Sequence, residues 1–487
     1  MVTEMLAGFV VAPFLVKRLG VTGYGLWIVI GSLGGYFSFV DFGMRGSVGR
    51  QLAACRATGD WEEANRIINT ALAILSALAV LVIVGIGLSS IALDRMFEVP
   101  ADQIGNARLA LLLVGANLAL SFPLQIFDGN LWAAQRFDVL NLVDIPATLI
   151  RIGLTFAFVR NGNDIVTLAL ITLFTSAGSG VIKGAISFRT DRFLAISLRH
   201  IRRESGHVLF GYGWWNFVLA LARLTKTQFS PLVIGSFLNV ALVTPFSIAR
   251  RLQDYAHKVI WTATGVLIPI ATGFHAREEV APQQRLFVEG GKYATVFATF
   301  FVVYFICLGE SVIGLWMGPQ FSYAAVLLII LTLGEYVQMT QSLTGSIILA
   351  TARHKVLAWL AVIETVITLG LVVLVARPFG LIGVCFALAV PQVVFSGIGT
   401  VILGCRVTGV GFARYLREAV LPAFIAATIP AVALGVITFW KQPSSWATLG
   451  AYSLGYGLSY VASCWMILKP TTIERLLSDT KAAIFHA

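Results

Sequence analysis

Residues 67–93 read IINTALAILSALAVLVIVGIGLSSIAL, 27 positions without one ionisable side chain. A helix needs roughly 20 mostly apolar residues to cross the hydrocarbon core of a bilayer. This run is long enough to span, and the same pattern recurs on both sides of it. Fourteen segments qualify: approximately 3–16, 22–44, 67–93, 108–134, 138–160, 164–187, 208–235, 239–270, 291–317, 322–350, 355–376, 379–404, 415–439 and 446–468. Composition agrees, since 57% of the 487 residues are hydrophobic and only 12% are charged. An ordinary globular domain is about 45–50% apolar and about 25% charged. So little charge cannot cover a water-facing surface of this size, which excludes a soluble enzyme and a disordered chain. The expected fold is an all-α polytopic membrane protein of about 14 transmembrane helices.

Charge gives the orientation. The net charge of +11 comes from 35 Lys and Arg against 24 Asp and Glu. In a soluble protein such an excess would point to nucleic acid; in a membrane protein it marks cytoplasmic loops. With the N-terminus inside, 22 basic residues fall in cytoplasmic loops, seven in outside loops and six within the segments. Both termini are therefore expected in the cytoplasm, and no nucleic-acid partner is expected. Glu4 precedes the first apolar run and no small-residue cleavage site follows, so that run is expected to be retained. The five cysteines lie far apart with no CxxC pair, which argues against a zinc site or a disulfide framework.

No loop has room for a soluble domain: the largest polar stretches are 45–66, 188–207 and 274–290. Gly290-Gly291-Lys292-Tyr293 lacks the upstream glycine and the Ser/Thr of a phosphate-binding loop. No cofactor and no metal are expected, and any energy source is an ion gradient or the substrate gradient. Arg136-Phe137-Asp138-Val139-Leu140 recurs as Arg353-His354-Lys355-Val356-Leu357, at matching places six helices apart. An even offset preserves membrane orientation, as in transporters built from parallel repeats with the substrate path between them. The expected organisation is a six-helix lobe over 1–187, a cytoplasmic linker over 188–207, a second six-helix lobe over 208–404, and two appended helices with a tail over 405–487. Prolines such as Pro123, Pro146, Pro245, Pro269 and Pro391 interrupt the segments, freeing backbone groups for binding or bending.

Six cations sit at membrane depth: Arg151, Arg223, Lys226, Arg250, Arg251 and Lys258. Each costs roughly 2.5–3.5 kcal/mol at a helix centre, so each should face protein or water. Arg250, Asp254 and Lys258 share a helix face, which allows either a structural ladder or a cavity lining, with Lys258 snorkelling to the interface. Arg151 can pair with Asp144 two turns away. Arg223 and Lys226 have no acid within ten positions, so they need a partner from another helix or an external anion. A phosphate or diphosphate headgroup suits such a cluster through charge-assisted hydrogen bonds. Among the acids, Asp41, Asp128 and Glu310 lie near segment ends and read as interfacial. Glu335 and Glu364 lie near segment middles and are candidates either for proton or sodium coupling or for structural hydrogen bonding.

Leu19-Gly20-Val21-Thr22-Gly23-Tyr24-Gly25-Leu26-Trp27 and Val40-Asp41-Phe42-Gly43-Met44, with Arg50 following, resemble the start of the bacterial polysaccharide repeat-unit (Wzx-type) flippases. These belong to the multidrug/oligosaccharidyl-lipid/polysaccharide exporter (MOP) superfamily. Ala134-Gln135-Arg136-Phe137-Asp138, Val243-Thr244-Pro245-Phe246-Ser247-Ile248-Ala249-Arg250-Arg251-Leu252 and Leu315-Trp316-Met317-Gly318 are similar to later parts of the same pattern. The short first segment departs from it, and Phe246 stands where Tyr is more usual. The resemblance implies two pseudo-symmetric six-helix lobes around a central cavity that opens alternately to each side. It implies a transporter of the inner membrane that flips undecaprenyl-diphosphate-linked oligosaccharide for surface polysaccharide biosynthesis, and not an enzyme. The lipid-linked oligosaccharide and membrane lipids are its partners, commonly with a polysaccharide polymerase and a chain-length regulator nearby. Arg223, Lys226, Arg250 and Arg151 are then the substrate-binding candidates, and Glu335 and Glu364 the ion-coupling candidates. A lipid II flippase and a cation-coupled drug antiporter are the alternatives within the superfamily, although cationic drugs would prefer a cavity dominated by carboxylates. A membrane polysaccharide polymerase would show a long outside loop or an acidic catalytic motif, and Asp94, Glu98 and Asp102 form no convincing set.

Overall fold

The computed structural model describes residues 2–39, 44–160, 164–191, 194–202, 214–265, 273–274, 277, 279–350 and 354–468. Asp41, Pro269 and Arg353 lie outside the described residues, as does the side chain of Arg223. Every described element is helical, as lipid requires, because a helix satisfies its own backbone polar groups where no water is available. Eight described helices are long and apolar enough to cross a membrane, so the protein is multi-pass. Two pairs of expected segments meet where the backbone leaves the helical conformation. Segments 3–16 and 22–44 fall largely in Val2–Ser38, two helices that meet at Gly20, where φ is 73°. Segments 355–376 and 379–404 meet near Gly380, where φ is 59°. Only glycine enters this left-handed region without strain, so each kink separates two helices.

The chain divides into two compact units, Met1–Thr244 and Pro245–Ala487, the division falling inside the Val240–Gly265 helix at Pro245. In the first unit, the Ile104–Ala133 helix packs against the helices Met44–Thr58, Trp61–Ile91 and Ile165–Thr190. Small residues permit the approach: Gly115 lies against Ile86, Gly180 against Leu124 and Gly184 against Phe127. Asp60 caps the Trp61–Ile91 helix by accepting from the Glu63 amide at 2.9 Å. The cytoplasm-facing end expected from the charge bias carries a polar clamp. Arg56 reaches Asp191 at 2.5 Å and Asn130 at 3.1 Å, and Asn130 donates to Asp191 at 2.7 Å. The segment 194–202, which holds a 3₁₀ turn at Leu198–His200, is strapped along the Trp61–Ile91 helix. Asn65 and Asn69 accept from the Ala195 and Ser197 amides, and Thr70 accepts from the Arg202 amide at 3.0 Å.

In the second unit, the Val280–Met317 helix contacts the helices Ala324–Thr340 and Leu421–Trp440. The Trp446–Leu468 helix is stitched to it by buried tyrosines. Tyr456 donates to the Phe300 carbonyl at 3.1 Å and Tyr460 to the Val296 carbonyl at 2.8 Å, while the Phe300 and Tyr456 rings stack with centroids 4.8 Å apart. Aromatic bodies thus fill apolar space and their hydroxyls find acceptors. At Pro391 the backbone loses a donor, and residues 392–399 widen into a π-helix. There the Ala324–Thr340 helix passes so close that a Cβ on Gly334 would overlap Ala389. Gly334→Val is therefore expected to cost about 1–3 kcal/mol as an overpacked core, read as a lower melting temperature of the purified protein. An unchanged melting temperature would show that the two helices can separate freely.

Candidate functional site

Two polar constellations interrupt the apolar interior, one in each unit. In the first unit, a cavity of about 580 Å³ opens between the helices Ile104–Ala133, Phe137–Phe158 and Ile165–Thr190. Among the described residues its wall carries four ionisable groups, Asp128, Asp144, Arg151 and Lys183. Lys183 is only 7% exposed and its ammonium sits 2.6 Å from Asp128 and 3.1 Å from Asp144. A lone buried ammonium would be prohibitive, and two carboxylates from two other helices compensate it. Ser179 donates to the same Asp144 oxygen at 3.0 Å. Gln125, Thr148, Thr175 and Ser176 add amide and hydroxyl groups to the wall, and Leu118, Phe122 and Leu124 supply apolar surface.

In the second unit, Glu335 is buried and meets His257 with an N–O separation of 2.7 Å. Gln253, fully buried on the same helix as His257, donates to the other Glu335 oxygen and to the Leu331 carbonyl at 3.2 Å. Two turns before His257, Arg250 pairs with Asp254 at 3.3 Å. Glu364 is also buried and accepts from Ser396, which the π-helix carries. Four positions earlier, Gln392 donates to Gln338 at 2.7 Å, and Gln338 lies one turn from Glu335 on the same helix. Hydrogen bonds and helix turns therefore join Glu335 and Glu364 into one buried polar layer.

The sequence-based candidates are thus distributed unevenly. Arg151 lines the first cavity, but Asp144 pairs with Lys183 and not with Arg151, because Lys183 reaches it from the neighbouring helix. Asp128, expected at an interface, is mostly buried in that ion cluster. Lys226 lies half-buried on the Trp214–Phe237 helix and does not line that cavity. Arg250 is a member of the second unit's cluster, in the pairing with Asp254 that its spacing allowed, and Lys258 is exposed. Sequence reasoning missed Lys183, counted among the cytoplasmic loops, and His257. The signal for His257 was present: it lies three residues after Asp254 and four after Gln253, on the face that carries Arg250.

Helix bundles of this kind define a class. The chain shares its fold with an inward-facing multidrug resistance MATE family transporter of the MOP superfamily, with a TM-score of 0.68 and 14% identity over 85% of this chain and 99% of that one. The lipid II flippase MurJ in an inward closed conformation matches with a TM-score of 0.67 and 16% identity, over 94% of this chain and 98% of that one. Among sequences, the uncharacterized membrane protein EpsK of Bacillus subtilis is 21% identical, covering 94% of this chain and 91% of its own length. A putative O-antigen transporter of Shigella flexneri is 22% identical, covering 76% of this chain and 87% of its own length. The polysaccharide biosynthesis protein family matches residues 1–275. The chain belongs to that family, and it shares the fold of the MATE family transporter and of MurJ.

Proposed function

We propose that the chain moves undecaprenyl-diphosphate-linked oligosaccharide repeat units across the bacterial cytoplasmic membrane, by alternating access, for surface polysaccharide biosynthesis. Both termini lie in the cytoplasm in this reading. The observation that carries it is the polar cavity of the first unit, which a spanning bundle has no structural need to keep. Groups at membrane depth that face a cavity mark a substrate path. Membership of a polysaccharide biosynthesis family supports a saccharide cargo, and the excess of basic residues at membrane depth supports a diphosphate. Arg223, Lys226 and Arg250 are assigned to the diphosphate, and Arg151 to the saccharide of the cargo. Glu335 and Glu364 are assigned to coupling. A polymerase and a chain-length regulator would take the cargo on the outer side.

Deletion of the gene followed by fractionation of lipid-linked sugars tests the reading. Loss of surface polysaccharide with accumulation of lipid-linked repeat units, restored by the wild-type protein, is the expected result. Accumulation of peptidoglycan precursors would reassign the cargo to lipid II. Normal polysaccharide with raised sensitivity to cationic drugs would reassign it to a drug.

A further inference from the structure

The cavity of the first unit has the wrong charge for a diphosphate. Among the described residues its ionisable groups are two carboxylates and two cations, whose formal charges cancel. Lys183 already faces both carboxylates, and a phosphate brought beside it would also be brought beside Asp128 and Asp144. Like charges at that distance oppose binding strongly where water is scarce. What the cavity offers is hydrogen bonding in both directions. The Asp144 side chain lines the cavity and is 53% exposed, and Lys183 and Ser179 both use its Oδ1, leaving Oδ2 available as an acceptor. The Arg151 guanidinium and the Gln125 amide can donate, Ser176 can do either, and Thr148, whose hydroxyl already donates to the Asp144 carbonyl at 2.9 Å, can accept. Phe122 and Leu124 supply apolar surface against which C–H groups can lie. Carboxylates, hydroxyls, an amide and an apolar wall together match a polyhydroxylated ring. The volume, about 580 Å³, is of ligand-site size, within the usual range of about 300–1,000 Å³.

We propose that this cavity is a sugar subsite, distinct from the groups that hold the diphosphate, and that it takes uncharged hexose rings of the cargo. Asp144 Oδ2 accepts from adjacent sugar hydroxyls, Arg151 and Gln125 donate to ring or hydroxyl oxygens, and Lys183 holds the carboxylates in place. The proposal rests on the flippase reading.

The test uses the full chain in lipid nanodiscs and two probes. One is the lipid-linked oligosaccharide pool extracted from the cells that make this protein; the other is undecaprenyl diphosphate alone. Titration calorimetry should show the sugar-bearing lipid binding about tenfold tighter or more, the effect of one or two good hydrogen bonds to charged groups. Gln125→Leu/Ser176→Ala, which leaves the Lys183 ion cluster intact, should remove that increment and weaken undecaprenyl diphosphate less than twofold. Asp144→Asn should act in the same direction. Equal binding of both probes to the wild type would overturn the sugar subsite and leave the flippase reading standing. Equal weakening of both probes by the double variant would likewise overturn it. Binding of neither probe would overturn the cargo reading and this proposal with it.

Discussion

Lys183→Met will destabilise the protein by about 3–5 kcal/mol, the usual consequence of removing one partner from a buried ion cluster. The variant leaves Asp128 and Asp144 without the ammonium that now lies within 3.1 Å of both. A methionine fills the space of the lysine stem, so the loss is electrostatic and not a packing defect. The triple variant Lys183→Met/Asp128→Asn/Asp144→Asn should recover most of the loss, because its cluster carries no net charge and amides can hydrogen-bond to one another. Melting temperature in detergent and abundance in the membrane would read both effects. A single variant that melts with the wild type would show that water solvates the carboxylates fully and that the cluster is not a folding determinant. Non-additivity between the lysine and aspartate changes is the signature that the three side chains act as a unit.

Glu335→Gln will abolish coupled transport, at least tenfold by rate, while leaving the fold in place. The amide keeps an oxygen for the buried Gln253 amide donor, so the polar layer stays satisfied. It loses the negative charge that faces His257 and that lies near the Arg250–Asp254 pair on the same helix. If Glu335 carries the coupling proton, the variant should lose the dependence of transport on external pH that the wild type shows. Reconstituted vesicles with an imposed pH gradient give the comparison directly. A Glu335→Gln protein that transports at the wild-type rate with the wild-type pH profile would confine Glu335 to structural hydrogen bonding. Glu364→Gln keeps an acceptor for Ser396 in the same way, and serves as the matched test of the second acid.

Hydropathy made the helical class and the membrane setting legible, because a lipid-facing helix must be apolar over its whole length. It also separated the helices that meet near Gly20 and Gly380, where the backbone leaves the helical conformation. The second unit's cluster was largely readable, since Arg250, Asp254 and His257 lie on one helix at helical spacing. The first cavity was not. Its key contact joins Lys183 to acids on two other helices, and a loop assignment made along the chain has no means of seeing compensation across it. Arg151 was found because it is a cation in an apolar run; its surroundings required the packing of three helices. Buried polar side chains such as Asn69, Asn130 and Gln253 carried no sequence signal either, because polar uncharged residues are cheap enough in a spanning segment to pass unnoticed.

Transport of a diphosphate-linked saccharide by the protein alone is tested most directly with the purified chain in sealed liposomes loaded with undecaprenyl-diphosphate-linked oligosaccharide from the producing cells. Sugar exposure is followed by a membrane-impermeant glycosidase. With protein present, nearly all of the lipid-linked sugar is expected to become cleavable from outside, against about half in protein-free liposomes. Cleavage that stops at the same half in both would contradict transport by the protein alone.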